Sequence, residues 1–420
     1  MPEKIVLIGE IYDDILNYLD SDVVKNTTPE SRKKELMNFT QLHCAKRKLA
    51  ISKDDILHIA NELYNDFWGY GPLEHLLHDD TITEIMVNGP DEVFIERKGR
   101  LEQSHIKFRS MKHVYNIVQR MATKNNHKVD NITPILNTRL LDGSRVNAVL
   151  NPISVNSTCL NIRKFSNTPL TIDNLLEWET LTPQIVKFLD ICVKSGVNIL
   201  VAGGTGSGKT TLLNVLSRMI DVNERVITIE DAAELQLSVN NLVRLESRDE
   251  NIEGKGSVSI GNLVKNCLRM RPDRVIVGEV RGEEAFEMLK VLNTGHEGSM
   301  STIHSNDALS SLLRIENMVS TNNPNMSSQV IRSQIGNAID IVVYVKRFSN
   351  GTRKITEIMD VQYDSTQEPI TNFFFRYHVT KREGDRYTGK YEKKKLEPTF
   401  IKKLYHSGMY EDFKTCLDEE

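Results

Sequence analysis

The sequence predicts an α/β protein in which a domain with a largely parallel sheet follows a smaller mixed α/β domain and a helical N-terminal region. Three observations lead to this prediction. A glycine-rich loop at 203–210 separates an apolar run from a helical stretch, apolar runs and helical stretches alternate from about 170 to 346, and apolar residues recur at helical spacing before 66. A chain of 420 residues has room for two or three domains.

The glycine-rich loop, Gly-Gly-Thr-Gly-Ser-Gly-Lys-Thr, lies in the order strand, loop, helix that a phosphate-binding P-loop requires. Its glycines allow successive backbone N–H groups to surround anionic oxygens, and the helix N-terminus adds a positive dipole end. Lys209 supplies a charge for the β- and γ-phosphates, and the hydroxyl of Thr210 is expected to bind Mg²⁺. The residues expected to bind ATP are Gly203, Gly204, Thr205, Gly206, Ser207, Gly208, Lys209, Thr210 and Thr211.

The alternating pattern around this loop predicts a parallel sheet covered on both faces, because parallel strands need crossover helices. The strand candidates are 197–202, 225–229, 274–277, 299–303 and 339–345. The helical stretches are 181–193, 211–220, 259–270, 283–292, 309–319 and 327–339.

The region before this sheet predicts two further parts. Residues 1 to about 66 are expected to be helical, with Ser52 as an N-cap. Strand candidates at 82–87, 93–95, 136–149 and 158–163, with a helix at 111–121, predict the small domain. The expected boundaries are 1–66 for the helical region, 67–165 for the small domain, 166–174 for a linker, 175–346 for the P-loop domain and 347–420 for its C-terminal extension.

Composition narrows the possible compartments and partners. The net charge of −4 does not indicate a nucleic-acid binder, and no apolar run is long enough for a membrane span. Five widely spaced cysteines fit a reducing cytoplasm and exclude the usual local zinc patterns. The segment from Arg376 to Lys403 contains ten Lys and Arg residues but only four Asp and Glu residues. Such a run predicts a solvated surface, with contact to a partner or an anionic lipid surface as the alternative.

Two strand candidates end in carboxylates. Glu279 follows the strand at 274–277, and Glu230 and Asp231 follow the strand at 225–229. Ligands of doubly wound sheets lie beyond the carboxyl ends of the strands. Glu279 is therefore expected to polarise water near the P-loop, with Glu230 as a second acid. A single strand-terminal acid is commonly an exposed cap, but two such strands after one P-loop favour a functional role.

A histidine and three arginines complete the candidate site. His304 ends the strand candidate at 299–303 and could contact a γ-phosphate or sense its absence. With His296 it is not expected to form a metal site, because no third ligand is near in sequence. Charge that develops during phosphoryl transfer is best offset by arginine. Arg139, Arg145 and Arg163 lie on strand candidates of the small domain, although the sequence alone does not place them against the nucleotide.

Four motifs in this order resemble the type II/type IV secretion ATPase superfamily. They are the Walker A motif at 203–210, the acidic box at 229–234, an atypical Walker B strand end at 277–282 and the His box at 294–304. The small-domain segments 71–73, 83–89, 141–147 and 162–165 are similar to the tight-adherence (Flp/Tad) pilus branch, the CpaF-like ATPases. The tetracysteine zinc motif of many type II ATPases is missing, which favours the Tad or conjugation-like branches.

The resemblance implies a RecA-like P-loop domain after a PAS-like small domain, with ATP and Mg²⁺ bound where the two domains meet. It implies a homo-hexameric ring on the cytoplasmic side of the inner membrane, peripheral to it and working with membrane platform proteins. No transmembrane span and no nucleic acid are expected. The catalytic residues that it implies are Glu279, Glu230, His304, Arg163 and Arg139, and Arg145 joins the nucleotide-binding residues.

The leading functional hypothesis is an ATP-hydrolysing motor for Flp/Tad pilus assembly or secretion, in which hydrolysis frees the arginine clamp and the domains rotate about a hinge at 166–169. The second is the same enzyme class in conjugative or effector type IV secretion. A nucleotide-gated scaffold without turnover is a third, against which stand the intact Lys209, Thr210 and Glu279. A nucleic-acid motor is the fourth, and the acidic overall balance argues against it.

Overall fold

The structure, a computed structural model, describes residues 11–12, 14–15, 28–49, 51–97, 99–165, 170–248, 250, 255–384 and 386–418. The chain divides into two compact units, Met1–Asn167 and Thr168–Glu420. The hinge predicted at 166–169 and most of residues 1–27 lie outside the described residues. A short helix, Ile172–Glu177, begins inside the stretch predicted as a linker.

Within the described residues 28–68, two helices precede the small domain. Helix α1 spans Pro29–Lys46 and helix α2 spans Lys53–Trp68. The hydroxyl of Ser52 accepts a hydrogen bond from the backbone N–H of Asp55 at 3.1 Å, which confirms Ser52 as the N-cap of α2. Apolar side chains at helical spacing on α2 are buried together with Leu36 of α1, so the helix pair has a core of its own.

The rest of the first unit is a six-stranded sheet with the order β3-β2-β1-β6-β5-β4, antiparallel in each of its pairings. Its strands are β1 Ile82–Val87, β2 Val93–Arg97, β3 Arg100–Gln103, β4 Ile135–Arg139, β5 Arg145–Val149 and β6 Cys159–Arg163. Its helices are α3 Leu73–Leu77 and α4 Met111–Lys124. One face of α4 is apolar at helical spacing and packs in the core of this sheet.

The second unit contains a nine-stranded sheet with the order β15-β14-β13-β12-β7-β11-β10-β8-β9. Six strands from β12 to β9 are mutually parallel, and β13, β14 and β15 continue the sheet antiparallel. The strands are β7 Ile199–Gly203, β8 Arg225–Glu230, β9 Asn241–Glu246, β10 Arg274–Val280, β11 Met300–His304, β12 Ile341–Arg347, β13 Arg353–Tyr363, β14 Pro369–Glu383 and β15 Arg386–Lys393.

Helices cover both faces of this sheet, as the alternating pattern predicted. After α5 Ile172–Glu177, the helices are α6 Pro183–Lys194, α7 Lys209–Ser217, α8 Ile260–Cys267, α9 Glu284–Leu292, α10 Ala308–Asn322, α11 Ser328–Ala338, α12 Ile401–His406 and α13 Tyr410–Asp418. Helices α6, α7, α12 and α13 share one apolar core. Helices α8 to α11 share the core on the opposite face. The buried strands read as continuous apolar runs because both of their faces are covered.

The elements after residue 346 were not predicted from the sequence. Strands β13 to β15 and helices α12 and α13 lie there, although that stretch has weak periodicity and many charges. Beyond Phe375 the β14–β15 hairpin is largely exposed, so its side chains carry little apolar alternation. Its inner end is anchored by aromatic packing: the rings of Phe188 and Phe374 lie 5.2 Å apart, and those of Phe188 and Phe413 lie 5.4 Å apart.

Among the described residues no helix combines the length and the apolar character needed to cross a membrane.

Candidate nucleotide site

The glycine-rich loop joins the end of β7 to the start of α7, which is the predicted strand-loop-helix arrangement. Gly206 and Gly208 have φ angles of +66° and +96°, a backbone region that residues with a Cβ rarely adopt. Gly208 is the N-cap of α7 and has no side chain to cap its first N–H groups. The first N–H groups of the helix are therefore available to an anionic ligand.

The space around the loop suits a phosphate group. A Cβ on Gly203 would lie 2.5 Å from the Ser207 hydroxyl oxygen and 2.5 Å from the Val345 carbonyl oxygen, so only glycine fits there. A Cβ on Gly204 would meet nothing within 4 Å, so this part of the loop borders open space. The buried Ser207 hydroxyl has no hydrogen-bond partner among the described residues. An open loop with an unsatisfied polar atom fits the predicted ligand.

Three predicted site residues lie in contact. The Lys209 ammonium is largely buried and lies 3.1 Å from the Gly204 carbonyl oxygen and 3.3 Å from either ring nitrogen of His304. His304 Nε2 is 2.7 Å from Glu279 Oε1. Because an ammonium only donates, a hydrogen bond from Lys209 requires an unprotonated ring nitrogen of His304 as its acceptor, whereas Glu279 Oε1 accepts no hydrogen bond from the described residues. The imidazole is neutral in this arrangement.

The environment keeps that imidazole neutral. Burial lowers the pKa of His304 below its ordinary value, the Lys209 ammonium lowers it further, and the Glu279 carboxylate acts in the opposite direction. His296 lies before the start of β11, whereas His304 ends that strand, and the His296 ring is 3.3 Å from the Val291 carbonyl oxygen.

Glu279 has a second partner on the chain. Its Oε2 accepts hydrogen bonds from Arg281 at 2.6 and 2.9 Å, and the Arg281 guanidinium also lies 3.7 Å from Asp231. Arg281 is two residues beyond Glu279, just past the end of β10. The carboxylate thus lies between the imidazole of His304 and the guanidinium of Arg281.

Glu230 occupies a different environment. Its Oε2 accepts backbone N–H hydrogen bonds from Glu234 at 2.7 Å and Leu235 at 2.9 Å. Burial raises the pKa of Glu230, and these two donors oppose the shift. A Cβ on Gly278 would lie 2.9 Å from Glu230 Cγ, which explains the glycine before Glu279. In this arrangement Glu230 organises the loop that follows β8.

The three arginines lie in the first unit, one on each of three adjacent strands. Arg139 pairs in register with Arg145, and Arg145 pairs with Arg163. The three arginines therefore lie side by side at the same end of strands β4, β5 and β6. Arg163 is exposed, with its Nε 4.0 Å from Glu84 Oε1. Their predicted contact with a nucleotide stays a prediction.

The sequence did not indicate three arginines of the second unit. Arg281 pairs with Glu279, while Arg347 and Arg353 lie beside the P-loop at the end of the β12–β13 hairpin. The position of Arg347 could have indicated it, because it lies two residues after the strand candidate at 339–345. The carboxyl end of that strand is expected at the same end of the sheet as the P-loop.

Comparison with protein families matches residues 67–375 to the family described as Type II/IV secretion system protein. A putative conjugal transfer protein of Mycobacterium tuberculosis is 34% identical over 302 residues, which cover 70% of this chain and 85% of the relative. The conjugal transfer protein TrbB of Rhizobium radiobacter is 33% identical over 291 residues, covering 68% and 85%. The type IV secretion system protein VirB11 of Bartonella quintana is 31% identical over 326 residues, covering 68% and 90%.

Solved structures share the fold. The Legionella pneumophila ATPase DotB superposes with a TM-score of 0.50 at 20% identity, covering 70% of this chain and 80% of that one. The pilus retraction motor PilT with bound ADP superposes with a TM-score of 0.50 at 18% identity, covering 70% and 83%. These likenesses confirm the predicted fold class, a RecA-like P-loop domain with a smaller α/β domain before it. The chain belongs to the type II/IV secretion system protein family.

Proposed function

We propose that this protein hydrolyses ATP and powers a type IV secretion machine of the conjugation type. The observation that carries the ATPase part is the contact of the P-loop lysine with His304, which in turn pairs with the strand-end carboxylate of Glu279. The family match and the names of the conjugal transfer and VirB11 relatives support the secretion part.

The proposed roles follow from the chemistry of each group. Lys209 and the loop N–H groups bind the phosphates, and the Thr210 hydroxyl binds Mg²⁺, which offsets phosphate charge when bound. Glu279 orients and polarises the attacking water, because its carboxylate lies next to the histidine that contacts the P-loop lysine. His304 links the P-loop lysine to the catalytic carboxylate, since its ring contacts both Lys209 and Glu279. Glu230 acts through the loop that it organises.

The choice of machine differs from the leading hypothesis of the sequence. The curated relatives described above carry names from conjugation and type IV secretion, whereas the small-domain segments 71–73 and 83–89 pointed to Flp/Tad pili. We retain Flp/Tad pilus assembly as the second candidate on the strength of those segments. Neighbouring genes distinguish the two candidates: transfer genes support the first, and pilin and prepilin peptidase genes support the second.

The proposal includes an assembly and a location. The protein acts as a homo-hexamer on the cytoplasmic face of the inner membrane, peripheral to it, with membrane platform proteins as partners. Positive charge for the nucleotide comes from Arg139, Arg145 and Arg163. Their alignment at the same end of three neighbouring strands supports this role.

A binding and turnover experiment tests this function. Wild-type protein is titrated with a fluorescent ADP analogue, and phosphate release from MgATP is measured at concentrations that permit rings. Lys209→Ala is expected to abolish binding, whereas Lys194→Ala, which removes an exposed lysine paired with Asp190, is expected to change nothing. Binding without phosphate release would instead support the nucleotide-gated scaffold, and absence of wild-type binding would refute the proposal.

A further inference from the structure

The β12–β13 hairpin runs alongside the P-loop. Strand β12 is parallel to β7, and Val345 pairs in register with Gly203, the last residue of β7. Strand β12 continues for two more residues to Arg347, which pairs with Arg353 at the start of β13. Sheet pairing therefore carries two arginines past the end of β7 and along the side of the loop.

Both arginines lie against glycines of the loop. Arg353 Nε donates a hydrogen bond to the Gly206 carbonyl oxygen at 2.9 Å, and Arg353 Cδ lies 3.4 Å from where a Cβ of Gly208 would be. Arg347 Nη1 lies 3.0 Å from the corresponding point at Gly206. The guanidinium groups thus take up the space beside the two glycines whose φ angles are positive.

We propose that Arg353, supported by Arg347, is a positioning residue that holds the P-loop in its phosphate-binding conformation before the nucleotide arrives. This inference rests on the proposed ATPase function. In a phosphate-binding nest the N–H groups point toward the ligand, and carbonyl groups that point away need partners elsewhere. The Gly206 carbonyl finds its partner in Arg353.

The energetic reason is the freedom of the loop. Four of the eight residues at 203–210 are glycine, which loses more conformational freedom on ordering than any other residue. A loop that is ordered only on binding weakens affinity by the cost of ordering it, and a pre-ordered loop avoids that cost. Because the hydrogen bond from Arg353 forms when the protein folds, the loop is already ordered before the nucleotide binds, and binding no longer carries that cost.

The hairpin itself is well anchored, as a positioning role requires. The backbone N–H of Phe348 donates to the Thr352 carbonyl at 2.8 Å and closes the turn. The Phe348 ring lies 4.8 Å from the ring of Tyr387 on β15, and the Tyr387 and Ser349 hydroxyl oxygens lie 2.7 Å apart. The turn between the two arginines is therefore fixed to the neighbouring hairpin.

The test compares Arg353→Ala and Arg353→Lys with the wild type. Arg353→Ala is expected to weaken ADP-analogue binding about tenfold, the effect of one lost charge-assisted hydrogen bond. Its kcat at saturating ATP is expected to stay within about twofold, because the reacting groups are untouched. Arg353→Lys keeps a donor and is expected to recover part of the affinity.

A second readout needs no nucleotide. Amide hydrogen exchange of peptides covering 203–210 is expected to accelerate in nucleotide-free Arg353→Ala, while peptides covering β10 stay unchanged. The matched control is Arg248→Ala, which removes another Nε–H hydrogen bond to a glycine carbonyl, that of Gly256, at 2.8 Å in the segment after β9. The control is expected to leave exchange and affinity at wild-type values.

The outcomes separate the two proposals. Wild-type affinity and wild-type loop exchange in Arg353→Ala would overturn the positioning role and leave the ATPase proposal standing. Accelerated exchange across the whole second unit would overturn it too, because the arginine would then support the fold in general. A wild-type protein that binds no nucleotide would refute the ATPase function, whatever the exchange shows.

Discussion

Replacing Glu279 with glutamine separates chemistry from stability. The amide keeps the size of the side chain and replaces the carboxylate, so the change acts on the hydrogen bonds from Arg281 and on the close contact with His304. The Arg281 side chain is 56% exposed, so solvent screens the pair, and the unfolding free energy is expected to fall by no more than about 1 kcal/mol. Loss of a catalytic base typically slows turnover about 10²- to 10⁴-fold, or about 3 to 5 kcal/mol of barrier.

The assay measures steady-state phosphate release, ADP-analogue affinity and thermal melting on the same preparations. Glu279→Gln is expected to lose turnover at least about a hundredfold, with binding preserved. The matched control is Glu392→Gln, because Glu392 also pairs with an imidazole, that of His378 at 2.8 Å, on the exposed β14–β15 hairpin. If Glu279→Gln retains turnover within a few-fold of the wild type, Glu279 is not the base and the reasoning fails.

Three further predictions concern single residues. The pKa of His304 is lower in the folded protein than in the unfolded chain, so the unfolded chain protonates this imidazole more readily and stability is lost as pH falls through about 6.5. His304→Gln is expected to flatten that loss in thermal melts recorded from about pH 7.5 to 5.5. Gly278→Ala forces a Cβ against Glu230, which two hydrogen bonds hold in place, and should lower the unfolding free energy by about 1 to 3 kcal/mol in urea titrations. Arg163→Ala is expected to reduce kcat on the order of 10³-fold without changing the melting temperature, since its side chain is 58% exposed and 4.0 Å from Glu84. A wild-type kcat in this variant would remove Arg163 from the site.

The contact of Lys209 with His304 provides a way to detect whether the site holds a nucleotide. In this arrangement the lysine is directed to the Gly204 carbonyl and to the imidazole, and the imidazole is directed to Glu279. A phosphate that engages the lysine competes for the same ammonium, because three donors serve all of its partners. Nucleotide binding is therefore expected to alter the environment of His304, which histidine NMR signals can follow during an ADP titration.

The amino-acid sequence by itself predicted a nucleotide-binding loop and most of the strands and helices of the second unit up to residue 346. The glycines at 203–208, between a strand and a helix, are typical of a phosphate-binding loop, and apolar strands between amphipathic stretches are typical of a sheet covered on both faces. Those signals are local, since each depends on residues close together in the chain. For the same reason the positions of Lys209, Glu279 and His304 at strand or loop ends could be predicted without coordinates.

Tertiary structure alone decided which of these residues meet. Strand β11 pairs between β7 and β10, so His304 reaches Lys209 across 95 residues of sequence and also contacts Glu279. The β12–β13 hairpin brings Arg353 to the loop across a separation of 147 residues. Strand order is set by how whole layers pack, and no local pattern encodes it. Lys209, Glu279 and His304 were therefore visible in the sequence as candidates, whereas their contacts with one another and with Arg281 were not.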